Sequence, residues 1–205
     1  MQFKFNWRRL ALGMAGVVAA AAMTGCVSVK PYVGAGVRDV PPSEYVKPNP
    51  SHAVQVVFDF KTKGVDNARA TAAFKARVND QVSASHLFDS VSEQPVAGGA
   101  LLIITVNNVT LDDHEFAKGF ATGLTLGLAG TVAGDGYIAT ANYTPPAPAS
   151  LISKEVRHSI FTTIGNHAPP PNATPAASMD EAASAMLHQV VSNLLNDVSH
   201  DPAFK

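Results

Sequence analysis

The sequence predicts an α+β domain, a mostly antiparallel sheet with two main helices packed on one face, plus a glycine-rich apolar insertion. Three observations lead there. Residues 54–60 and 152–164 alternate apolar and polar side chains, the period of strands with one buried face. Residues 66–85 and 178–198 instead repeat their apolar positions at helical spacing. Between Lys118 and Asp135 runs an uncharged stretch with glycines at near-regular intervals, which belongs to neither pattern.

The elements follow in order. Val54, Val56, Phe58 and Phe60 alternate with Gln55, Val57 and Asp59, giving a first strand. After a polar break at 61–65, Asp66 is placed to cap a helix reaching about Ser85. Phe74, Val78 and Val82 recur on its buried side, with Arg69, Lys75, Arg77 and Asp80 towards solvent. A short strand is expected at 87–91 and a turn at 95–99. Leu101-Leu102-Ile103-Ile104-Thr105-Val106 is the most apolar strand of the chain and continues to Leu111. Residues 136–144 read as a strand that stops at Pro145-Pro146. Ile152, Val156, Ile160 and Ile164 then share a face against Glu155, Arg157, Ser159 and Phe161, as suits an antiparallel sheet with one wet side. Four prolines in 168–177 exclude a ladder there and predict a loop. Ser178 followed by Glu181 is a capping box. The stripe Ala183, Leu187, Val190, Val191, Leu194 and Val198, widened by Met186 and Leu195, predicts the helix that closes the core. This element order over roughly 54–200 is similar to small α+β modules of periplasmic proteins, such as the amino-terminal domain of the Tol-system propeller protein and the curli-secretion lipoprotein.

Ahead of the domain, Lys4, Arg8 and Arg9 precede a charge-free run from Leu10 to Ala22, the layout of an export signal. The run is too short to span a bilayer, which takes roughly 20 residues. It ends on Met23-Thr24-Gly25-Cys26, which holds the only cysteine of the chain. There the sequence resembles the bacterial lipoprotein signal, whose pattern is a Leu-like residue, a small residue, Gly or Ala, then Cys. The resemblance implies a signal peptide at 1–25, cleavage after Gly25, and acylation of Cys26. Each buried CH₂ contributes about 0.8 kcal/mol, and two or more acyl chains anchor stably. Val27, rather than Asp, follows the cysteine. That resembles cargo sent on to the outer membrane with its domain in the periplasm. Residues 26–53 hold five prolines and no apolar period, and predict an acylated tether with a reach of roughly 30 Å.

Three of the 15 basic residues leave with the signal while all 16 acidic ones stay, so the mature chain is acidic. It lacks the basic patch that nucleic-acid binding requires. With Cys26 acylated, no thiol remains for a disulfide or a zinc-thiolate site.

The glycine stretch holds Gly119, Gly123, Gly127, Gly130 and Gly134, spaced four, four, three and four apart. On a helix these fall on one face. Each costs about 1 kcal/mol relative to Ala there, so five imply a use for the missing side chains. In membranes that use is close helix approach. The run resembles the glycine-zipper segments of bacterial outer-membrane lipoproteins, which implies self-association or membrane contact. Two other readings stay open, an apolar hairpin between two strands and a helix buried in its own domain. Sixteen helical residues span about 24 Å, short of a roughly 30 Å hydrocarbon core.

Candidate chemistry is sparse. Asp112-Asp113-His114-Glu115 is the densest polar cluster, but it lacks the His-Glu-x-x-His spacing of a helical zinc site and reads as a solvated turn. There is no Gly-x-Ser-x-Gly elbow, and Leu124-Thr125 follows Gly123 where a phosphate loop needs Lys then Ser or Thr. No cofactor or metal is expected. The expected function is a non-catalytic, outer-membrane-anchored lipoprotein acting by self-association or envelope partner binding. The alternatives are an oligomeric pore or secretion channel inserting 119–134, and an envelope hydrolase or metal-dependent enzyme using His114 and its acidic neighbours.

Overall fold

The computed structural model describes residues 29–111, 132–146, 150–165 and 168–204. They form an α+β domain, as the sequence predicts. Its strands are β1 (Val29–Val33), β2 (Val54–Thr62), β3 (Val65–Asp66), β4 (Val91–Ser92), β5 (Ala100–Thr110), β6 (Val132–Thr144), β7 (Ile152–Ile164) and β8 (Thr174–Pro175). Its helices are α1 (Ala68–Ala84) and α2 (Met179–Ser199). All eight strands join one sheet, ordered β3-β2-β5-β6-β7-β1-β8, with β4 also paired to β2. Pairing is antiparallel except where β2 meets β5 and β4. There α1 carries the chain back across the sheet, the kind of crossover parallel neighbours need.

The strand pattern sorts the sheet into two faces. Val54, Val56, Phe58 and Phe60 of β2 lie with Leu102, Ile104 and Val106 of β5 and with Ala139, Ala141 and Tyr143 of β6, all buried. Onto this face pack Val78 and Val82 of α1 and Met186, Leu187, Val190, Val191, Leu194, Leu195 and Val198 of α2. Both helices therefore serve one face, and each fully buried large side chain contributes about 1.5–3 kcal/mol.

The caps sharpen the helix boundaries. At α2 the Oγ of Ser178 accepts the Glu181 N–H at 3.1 Å, as the capping box predicts. The Glu181 carboxylate accepts the N–H of Ala177 at 2.8 Å, one residue ahead of the cap. At α1 the cap is Asn67, whose Oδ1 accepts the Ala70 N–H at 3.0 Å, and not Asp66. Asp66 instead ends β3 and pairs with Lys61 at 3.1 Å, because the 61–65 break is a tight hairpin that uses it.

Three other expectations are corrected. Residues 29–53 are not a tether. Val29–Val33 is a strand paired antiparallel to β7, and Val40 is buried. The prolines keep the next stretch out of the ladder, so side chains of α2 hold it instead. The Val40 N–H donates to Ser192 Oγ at 3.1 Å, the Val46 N–H to Ser199 Oγ at 3.2 Å, and Asn193 Nδ2 to the Arg38 carbonyl at 2.7 Å. Such anchoring leaves no periodic trace in the strapped segment. The 168–177 loop contains the two-residue β8, where Pro175 is tolerated because β8 is an edge. Finally, β6 begins at Val132 rather than 136, which takes Gly134 into the sheet.

Candidate functional site

Strand direction gathers five strand ends at one rim of the sheet. The parallel strands β2 and β5 end there, β6 and β1 begin there, and β7 ends there. The register fixes this: Thr62 lies opposite Asn108, Thr110 opposite Asp135, Val132 opposite Thr163, and Val29 opposite Ile164. α2 also starts near this rim. Its Gln189 meets His158 in mid-β7, and Asp201, just past its end, pairs with Lys154 near the start of β7 at 2.7 Å. The chain just before it is tied to β1 by the Ala176 N–H donating to the Pro31 carbonyl at 3.0 Å.

Large apolar side chains stand in water at this rim. Val65 is 71% exposed, Val29 59%, Met179 46% and Ile164 45%. The two others of their kind among the described residues, Leu151 and Val46, belong to the opposite end. Leu151 precedes β7, and Val46 is bonded to Ser199 at the end of α2. Sequence reading missed the rim, since Val65 falls in a polar break, Val29 in a proline-rich stretch and Met179 beside a cap. No local pattern unites them.

The second sheet face carries its own cluster near the same rim. Val109, Leu111 and Phe161 are buried together, with Tyr32, Val132 and Ile138 packed against them, and neither helix contributes to it. Gly134 lies opposite Phe161 in the ladder. A Cβ there would collide with Leu111 Cδ1 and meet the Phe161 ring at 3.1 Å. Gly134 therefore serves close packing inside its own sheet, and its place in a helical glycine face is corrected. Gly119, Gly123, Gly127 and Gly130 lie outside the described residues, as do Cys26 and the 112–115 polar cluster. The hydroxyls of Ser159 and Thr163, on this same face of β7, are buried without a hydrogen-bond partner among the described residues.

The titratable side chains serve packing. His158 has no exposed surface, and its Nδ1 accepts the Ser159 N–H at 2.8 Å. Its Nε2 therefore carries the hydrogen and donates to Gln189 Oε1 at 2.5 Å. Burial holds its pKa below the usual imidazole value, partly offset by the Gln189 bond and by Asp39. At the opposite end His52 contacts the buried Tyr143 hydroxyl inside an aromatic group with Phe88 and Phe204. Burial raises the Tyr143 pKa.

A cavity of about 320 Å³ opens between the 39–45 strap and the two helices, lined by Val40, Pro41, Pro42, Tyr45, Gln81 and His188 among others. His188 Nδ1 pairs with Asp39 at its edge at 2.8 Å, both side chains more than half exposed. Burial, with Asp39 and Glu44 nearby, pushes the Tyr45 hydroxyl up to about 12. Among the described residues no group of three His, Cys, Asp or Glu side chains could hold a metal ion. No helix among them is long and apolar enough to cross a membrane.

No protein-family model matches the chain, and no curated relative does. Among solved structures it is similar to the PelC dodecamer from Paraburkholderia phytofirmans, at 9% identity and a TM-score of 0.36 over 85% of this chain and 99% of that one. A single-substitution form of that dodecamer matches over the same shares at a TM-score of 0.35. A neuraminyllactose-binding hemagglutinin homolog from Helicobacter pylori, so described provisionally, matches at 12% identity and a TM-score of 0.40, over 80% of this chain and 90% of that one. Likeness at this level assigns no function to the chain.

Proposed function

We propose that this chain is an outer-membrane lipoprotein, anchored through Cys26, that works without catalysis by self-association or by binding an envelope partner. One observation carries the reading. Tyr32, Val109, Leu111, Val132, Ile138 and Phe161 cluster on the sheet face that neither helix reaches, beside both ends of the glycine-rich stretch. Three of the six are buried and three half-buried, so the contact would form where the glycine-rich stretch joins this cluster rather than on the cluster itself. Helix packing on the first face gives the domain its stability without using this one.

The test is the mass of the mature, detergent-extracted protein by light scattering, beside a Gly123→Leu, Gly127→Leu variant. The expected outcome is an oligomer for the wild type and a folded monomer for the variant. An unchanged mass for the variant removes the glycine stretch as the contact.

A second reading, an oligomeric pore or secretion channel inserting the glycine-rich stretch ahead of β6, draws on a different observation. Leu111 and Val132, which flank the stretch, stand at the rim where β1 begins, close to Cys26 in sequence. It predicts dye release from liposomes by the purified protein, and an intact dye baseline removes it.

A further inference from the structure

We propose that the rim carrying Val29, Val65, Ile164 and Met179 rests on a lipid bilayer, so that the domain stands with its strands pointing away from the membrane. This rests on the lipid-anchor reading of Cys26 given above. Only Val27 and Ser28 separate Cys26 from β1. Three residues of chain span at most about 10 Å. An acyl anchor on Cys26 therefore holds Val29 at the headgroup level, whatever path those residues take. Val29 lies opposite Ile164, and the next pairs along tie Lys30 to Thr163 and Thr163 to Val132. At about 4.8 Å between neighbouring strands, β6 begins about 10 Å sideways from β1. Val65, at the tip of the β2–β3 hairpin, extends the same rim to the far edge of the sheet.

The anchor and the exposed apolar side chains thus meet at one end, although they are far apart in sequence. Four of the six large apolar side chains exposed among the described residues are there. A short leash over water-exposed valines, isoleucine and methionine makes the bilayer the occupant that geometry supplies. Charge does not select it. Lys30 and Lys63 are exposed at this rim, but so is Asp135; Lys61 is paired with Asp66, and Asp180 with Arg77. The contact proposed is the apolar one, and a contact of that kind is insensitive to salt.

Trp7 is the only tryptophan and leaves with the signal, so a single introduced tryptophan reports cleanly. Val65→Trp, Val29→Trp and Leu151→Trp versions of the full mature chain are reconstituted into phosphatidylethanolamine/phosphatidylglycerol vesicles, with and without brominated lipid. Mass spectrometry of each preparation reads acylation. The expected result is an acylated chain whose indole, at position 65 or 29, emits at shorter wavelength and loses most emission to bromine, while at position 151 it does neither. Acylated protein without quenching at 65 and 29 overturns the orientation and leaves the anchor standing. A blue shift without quenching also overturns it, in favour of a second copy on the rim. A chain without acyl groups overturns the anchor and the orientation together.

Discussion

His158 stands in mid-β7 with both ring nitrogens used, one by the Ser159 amide and one by Gln189. Its lowered pKa makes stability depend on pH with a definite sign. Above the ordinary imidazole pKa, near 6.5, the ring is neutral folded and unfolded, and nothing is lost. Below it the unfolded chain takes up the proton more readily, so stability falls as pH drops towards the folded pKa. Urea midpoints measured between about pH 7.5 and 5.5 should fall for the wild type and be flatter for His158→Gln. Equal slopes would show that the ring holds its proton as readily in the folded chain as in the unfolded one, against the lowering by burial. Glu44 and Asp201, whose pKa values are also lowered by their Arg38 and Lys154 partners, lose their contributions only in the more acidic carboxylate range. Gly134 offers a second test at the same scale. Gly134→Leu should cost about 1–3 kcal/mol by overpacking. Leu111→Ala in the same chain should return part of that, because Leu111 Cδ1 is the atom a new side chain meets. Additive effects would separate the two residues.

Among the elements, the strap at 38–46 departs furthest from what its sequence suggests. Its amides reach α2 at Ser192 and Ser199, two helical turns apart on one face. Ser192→Ala leaves the buried Val40 N–H unpaired and should cost about 1–3 kcal/mol in urea unfolding. A free tether would lose nothing. The cap of α2 makes a control, since Ser178→Ala should cost about 1 kcal/mol with the fold intact. Leu194, with no exposed surface, allows no such tolerance. Leu194→Asp places a charge where both helix and sheet exclude water, and should abolish the cooperative melting transition.

At the scale of the whole molecule, the sheet has a helical face, a second face with its own apolar cluster, and a rim where strand ends meet. Oligomer mass and vesicle contact ask about different parts of that architecture. If the bilayer holds the rim by apolar contact, bromine quenching of the Val65→Trp indole in the acylated chain should persist at high salt. Loss of that quenching on adding salt would point to charge rather than apolar contact. The sheet face beneath α1 and α2 is filled by their own side chains.

The elements legible in the chain alone are those that obey a short period: β2, β5 and β7 by alternation, α1 and α2 by their apolar stripes, and the Ser178 cap by its Glu181 partner. These depend on neighbours within a few residues, which is the range over which a pattern can be read. The expected lipoprotein-like signal also rests on one contiguous motif, Met23-Thr24-Gly25-Cys26, which lies outside the described residues. What distant residues share came from tertiary structure. It turned a proline-rich stretch into a strand and a strap, because α2 supplies the hydrogen bonds that prolines deny. It moved Gly134 from an expected helix face into β6, because Leu111 and Phe161 leave room there only for hydrogen. And it brought Val29, Val65, Ile164 and Met179 to one rim, since strand direction and order, set by the whole sheet's register, are not written in any one segment.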